Sequence, residues 1–213
     1  MCRKYKKRSK RTTYGGNVFR SEGEAKWAVF FDCLGIEYDY EPHYSEVETG
    51  CRTVNYMPDF FLPGLRKYIE IKPSKPYEME NIRAAGWSKH VGDIVILFNI
   101  NPPTEKSENG WLFQFEEPGR TPILFESICW GECPKCGHID LAEYGLITSC
   151  GCYTLEQLEQ TLDDNEEEGL EMYPRFVRAR RLLAAYQIAK SHEFGKGKSG
   201  RVAKLPVQYG LWG

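Results

Sequence analysis

No stretch of the chain approaches the eighteen consecutive apolar residues that a membrane-crossing helix needs, which excludes a transmembrane segment and predicts a soluble protein. A secretory pattern at the N-terminus is missing too, as is any internal repeat that would announce a solenoid or propeller. Net charge is equally scarce: 28 Lys and Arg against 30 Asp and Glu leave a formal charge of -2, so the total does not advertise a nucleic-acid binder. Eight cysteines are present, but they lack a secretory context and four of them stand in metal-ligand spacing, so they do not read as a disulfide scaffold. Together these features predict a cytoplasmic protein in a reducing setting. A length of 213 residues predicts one main domain with a small added module.

The small net charge hides an uneven distribution. Arg3, Lys4, Lys6, Lys7, Arg8, Lys10 and Arg11 crowd the first eleven residues. Such a block reads as a basic arm that either seeks phosphates or serves as a solubilising tail. Asp163, Asp164, Glu166, Glu167, Glu168 and Glu171 form an acidic stretch, read as a solvated linker or helix face without chemistry.

Three charged residues inside otherwise apolar, strand-like segments carry more information. Val54 to Leu62 and Tyr68 to Lys72 read as strands, with Pro63-Gly64 and the residues after it as the turn of an antiparallel hairpin. Alternation puts Ile69 and Ile71 on one face of the second strand and Glu70 and Lys72 on the other. Asp59, just after Pro58, then lies across from Glu70. Two carboxylates and an ammonium at one end of a hairpin suit a hard divalent cation, whose charge offsets the repulsion between the acids.

Upstream, Ser21 to Gly35 reads as a helix, with Ser21 as N-cap, Gly35 as the stop and Trp27, Phe30, Phe31 and Leu34 at helical spacing. Glu24 falls on its inward side, either as a further acidic ligand or as the partner of Ser21 in a capping box. Glu22, about 200° around the helix from it, is the weaker candidate. Downstream, residues 77–90 read as a helix and 93–99 as a buried strand, which a helical crossover sets parallel to its neighbour. Weaker strands are expected over 111–115 and 122–130.

Pro58-Asp59, the eleven-residue step to Glu70, and Lys72 resemble the core motif of the PD-(D/E)xK nucleases, across roughly residues 18–100. The resemblance implies an α/β, restriction-endonuclease-like core, a mixed sheet flanked by helices. It also implies a metal-dependent DNA endonuclease of the resolvase, transposon-end or phage kind, leaving a 5′ phosphate and a 3′ hydroxyl. On that basis Asp59 and Glu70, with Glu24 and the main-chain carbonyl of Ile71, would hold Mg²⁺ or Mn²⁺. Lys72 would orient the attacking water or steady charge on phosphorus. DNA is the implied partner, beside a second copy of the chain or a recombination or packaging protein. The alternative function is a non-catalytic nucleic-acid-binding protein that keeps the fold. Glu41 is a secondary site candidate, read here as a plain strand-end residue.

A second motif is Cys133-Pro134-Lys135-Cys136-Gly137 with Cys150-Gly151-Cys152, thirteen residues separating Cys136 from Cys150. Four thiolates in two close pairs fit tetrahedral Zn²⁺, and the first pair resembles the knuckle of a zinc ribbon. The second pair has one intervening residue instead of two, so His138 and Cys129 stand as alternative ligands. Four protein ligands leave no open position, which marks a structural zinc.

Near the C-terminus, Pro174 suits the first turn of a helix running to about Glu193, with Arg175, Arg178, Arg180 and Arg181 at one end. Together with Lys196, Lys198 and Arg201 it reads as either a phosphate-binding surface or a docking helix with a solvated basic face. The expected organisation is a basic arm over 1–17, a nuclease core over 18–128, a zinc-ribbon-like module over 129–155, and an acidic linker, basic helix and tail over 156–213.

Overall fold

The computed structural model of the chain describes residues 9–49, 52–72, 76–91, 94–99, 110–114, 123–143, 149–154, 156, 179–195 and 200–207. The acidic stretch, Arg175, Arg178, Lys196, Lys198 and the first eight residues of the basic arm lie outside them. The protein is a mixed α/β structure. Among the described residues no helix is long and apolar enough to cross a membrane.

The first helix, α1 (Glu22–Leu34), forms where the sequence predicts it. The Ser21 hydroxyl accepts the Glu24 N–H at its start, and Gly35, at φ 69°, takes the left-handed turn that closes it. Ten of its residues are buried, because it lies between the sheet and a third helix. Ahead of it, β1 (Thr12–Tyr14) and β2 (Asn17–Phe19) form a hairpin turning on Gly15-Gly16, whose φ values of 57° and 89° favour glycine. This corrects the reading of 1–17 as an arm. Tyr14 and Phe19 are fully buried in the core, which ties the described end of that segment to the domain.

The sheet is built from β3 (Asp39–Tyr40), β6 (Phe60–Leu62), β7 (Lys67–Lys72), β8 (Ile94–Asn99), β9 (Gly110–Gln114), β10 (Ile123–Glu132) and β11 (Ile139–Glu143), in the order β11-β10-β9-β8-β7-β6-β3. Its β7–β8 pair is parallel, and α2 (Glu78–Val91) makes the crossover between them, as the sequence predicts. The other pairings are antiparallel.

The expected strand from Val54 to Leu62 is two strands in two sheets. β5 (Thr53–Tyr56) pairs with β4 (Ser45–Glu48) in a separate hairpin, while β6 pairs with β7. The break falls at Met57-Pro58-Asp59, where proline supplies no ladder donor and the chain changes direction.

Each face of the sheet has its own core. Phe60, Leu62, Ile69 and Ile71 face α1, together with Trp27, Phe30, Phe31 and Trp130, and with Leu182, Ala185 and Tyr186 of α3 (Arg180–Ser191). Phe30 stacks on Tyr186 at 4.8 Å between centroids, and Phe31 meets Phe60 edge-on at 5.4 Å. Burying side chains of this size contributes about 2–3 kcal/mol each. On the opposite face Tyr68 packs with Val47, Tyr56, Ala84 and Trp87. Gly86 lets α2 approach the β4–β5 hairpin closely, because a Cβ there would come within 2.7 Å of the Glu48 carbonyl oxygen. Glu70 and Lys72 follow Tyr68 in the β7 alternation and therefore lie on this second face.

Candidate active site and cysteine cluster

The end of the β6–β7 hairpin gathers the charged residues singled out in the sequence. Asp59 stands one residue before β6, across from Glu70 when the Phe60–Ile69 register is extended. Its Oδ2 accepts the Ile71 N–H at 2.6 Å and its Oδ1 accepts Arg20 Nη2 at 2.5 Å. Glu70 Oε1 pairs with Lys72 Nζ at 2.5 Å, and Lys72 also reaches Glu80 of α2 at 3.6 Å. Glu70 Oε2 and the neighbouring Tyr56 hydroxyl are both buried; the two side chains interact, and Tyr56 helps lower the Glu70 pKa, but neither atom completes a well-formed hydrogen bond among the described residues.

Glu24 also belongs to this neighbourhood, but as a capping residue. Its Oε1 accepts from the Ser21 hydroxyl at 2.7 Å, and its Oε2 from Tyr40 OH at 2.6 Å and the Arg20 N–H at 3.1 Å. Glu24 thus has the capping-box contacts, and it also stands close enough to raise the Asp59 pKa. Glu22 instead forms an exposed ion pair with Lys26 at 3.2 Å. Ile71 meets the site through its N–H. Glu41, at φ 49°, takes Arg20 Nε at 2.7 Å, which adds it to the rim of the site.

Arg20 is the residue that sequence reading missed. It bridges Asp59 and Glu41 from the turn before α1, so a residue thirty-nine positions upstream of Asp59 neutralises it. The available signal was its place immediately before the Ser21 cap, which aims it over the helix N-terminus where Glu24 lies.

Burial dominates the electrostatics. Desolvation pushes the Asp59 carboxyl well above the usual carboxylate range, and the charges of Glu70 and Glu24 push it further, against the opposing pull of the Ile71 N–H and Arg20. Burial also raises Glu70, while Lys72 and Arg20 draw it back. The Lys72 ammonium is disfavoured by burial, but Glu70, Asp59 and Glu80 outweigh this and leave its pKa raised.

Raised carboxyls hold protons in the native state that the unfolded chain has already released. Without a cation, stability should therefore fall as pH rises above about 4, through the window up to the raised values. Glu70→Gln keeps an acceptor for Lys72 and sets an NH₂ beside the Tyr56 hydroxyl. In EDTA at neutral pH it should stabilise the protein by about 1 kcal/mol and flatten that pH dependence, as read by thermal melts.

Among the described residues the carboxylates of Glu24, Asp59 and Glu70 do not bring three ligand oxygens within 4.8 Å of one another; the thiols of Cys133, Cys136, Cys150 and Cys152 do. A tetrahedral zinc with bonds of about 2.3 Å sets sulfur–sulfur edges of about 3.8 Å, so these four could hold a metal ion such as zinc. The short second pair completes the set. The alternative ligands lie outside it, with Cys129 buried in β10 and His138 against Ser149 at 3.2 Å. Cys133 to His138 form the β10–β11 turn, closed by the Gly137 N–H on the Cys133 carbonyl at 2.8 Å and the Cys133 N–H on the His138 carbonyl at 2.7 Å. A boundary at residue 129 falls inside β10, and Trp130 and Ile139 belong to the main core, so the cluster sits on the end of the large sheet.

Arg181 departs from the basic-face reading of the C-terminal helix. It is buried, pairs with Glu132 at 3.0 Å and donates to the Gly137 carbonyl at 2.7 Å, tying α3 to the cysteine turn. Arg181→Met should cost about 3 kcal/mol in a denaturant melt, because it leaves the buried Glu132 uncompensated. Arg201, expected on the phosphate-binding surface, lies 3.4 Å from Asp32 of α1. Compared with family models, with curated proteins and with solved structures, the chain matches none.

Proposed function

We propose that the protein is a divalent-metal-dependent DNA endonuclease with a restriction-endonuclease-like core and a structural zinc. The observation that carries this reading is the Asp59–Glu70–Lys72 group at the end of a central hairpin, with both carboxylates buried and the Glu70 Oε2 completing no well-formed hydrogen bond among the described residues. A buried carboxylate oxygen so weakly partnered is costly, and a cation of hard-ligand preference would satisfy it. Asp59 and Glu70 would hold Mg²⁺ or Mn²⁺, with Glu24 behind them and the Ile71 carbonyl as a further oxygen. The bound cation would supply activation of water and polarisation of the scissile phosphate. Lys72 would orient the water or donate to the oxygens that gain negative charge on phosphorus. Arg20 would move from Asp59 toward the phosphate once the carboxylate has another counter-charge.

A second reading, a non-catalytic DNA-binding protein, is favoured by one observation: Arg20 and Lys72 already pair with the two acids. Incubation with supercoiled plasmid, single-stranded DNA and a branched junction in Mg²⁺, Mn²⁺ or EDTA separates the two. Metal-dependent cutting supports the nuclease; binding without cutting of any substrate supports the alternative.

A further inference from the structure

An open cleft of about 480 Å³ lies beside Glu70, between α2 and the β4–β5 hairpin. Arg20, Lys72 and Arg83 bring three positive charges to its lining, against Glu70 and Glu80. Tyr44, just before β4, stands on its wall with 69 % of its surface exposed, whereas Tyr56, Tyr68 and His43 pack around Trp87 beneath. The Nε of Arg83 is buried and makes no hydrogen bond among the described residues. The close approach at Gly86, one turn beyond Arg83, holds the two walls together without a ligand.

We propose that this cleft takes one unpaired nucleotide, its base on Tyr44 and its flanking phosphate on Arg83. The substrate is then a strand with an unpaired nucleotide at the cut, in single-stranded or branched DNA, rather than continuous duplex. The cutting part of this inference rests on the nuclease reading; the binding part does not. The volume falls in the range of pockets for a single small ligand, and a base still stacked in a duplex could not enter it. An exposed aromatic ring beside cations is the arrangement that holds unstacked bases. A guanidinium presents a planar fork to phosphate oxygens, and Arg83 brings one to the lining of the cleft.

The test uses the full chain in Ca²⁺ with a short oligonucleotide carrying 2-aminopurine at each position in turn. Wild type should quench one or two positions, and Tyr44→Phe should keep that quenching. Tyr44→Ala should lose it and bind about 5- to 100-fold more weakly. Arg83→Gln should weaken binding and lower the slope of log affinity against log salt by about one. The same sequence as duplex should compete at least about tenfold less well. Absence of quenching, equal competition by duplex, or wild-type binding by Tyr44→Ala would overturn the subsite. Parallel reactions in Mg²⁺ keep the two readings apart. Quenching without cutting by wild type retains the subsite and removes the nuclease, and cutting without quenching does the reverse.

Discussion

Lys72→Ala is expected to lower Mg²⁺-dependent cleavage by about 10²- to 10³-fold while leaving the fold and the metal content of the cysteine cluster unchanged. Lys72 is only half-buried at the end of β7, so its removal opens no cavity in either core. Loss of its charge leaves Glu70 without its nearest partner, and Glu70 responds by taking up a proton, for which burial already prepares it. The variant should therefore stay folded, at a cost of about 1–3 kcal/mol at neutral pH. Single-turnover cleavage, thermal melts and metal analysis on one preparation check all three parts. Unchanged cleavage would remove Lys72 from the chemistry. A collapse of the fold would make it a structural counter-charge.

Cys133→Ser is expected to have the opposite pattern, with loss of bound zinc first and cleavage only as a consequence of instability. Purified wild type should carry one zinc per chain. Structural zinc in small modules contributes on the order of 10 kcal/mol to folding, and here the metal would close the turn between two strands of the main sheet. Because Arg181 holds that turn through the Gly137 carbonyl and Glu132, the loss should spread into α3. Metal analysis, chelator titration and circular dichroism would show it as an early transition that zinc reverses. A variant that kept its zinc and its melt would show that Cys133 is not a ligand.

The legible parts of this chain are those set by local chemistry. Ser21 and Gly35 bracket α1 in the sequence because a hydroxyl cap and a left-handed glycine act on adjacent backbone groups. The period of two in Tyr68 to Lys72 separates Ile69 and Ile71 from Glu70 and Lys72, since alternation in a strand needs no knowledge of the sheet around it. The four cysteines are grouped by spacing alone in one half and by the chain's return in the other.

What the sequence by itself determined was which residue types share a face or a turn: Asp59 with Glu70 and Lys72, Cys133 with Cys136, and the helix that carries Glu24. Only the tertiary structure decided what neutralises them. The split of Val54 to Leu62 into two sheets, the Arg20 bridge to Asp59 and Glu41, and the burial of Arg181 against Glu132 all join elements distant in the chain. Local spacing constrains backbone geometry over a few residues. The partner of a buried charge is chosen by the cost of leaving it unpaired in a low-dielectric interior, and that cost exists only after the layers have packed.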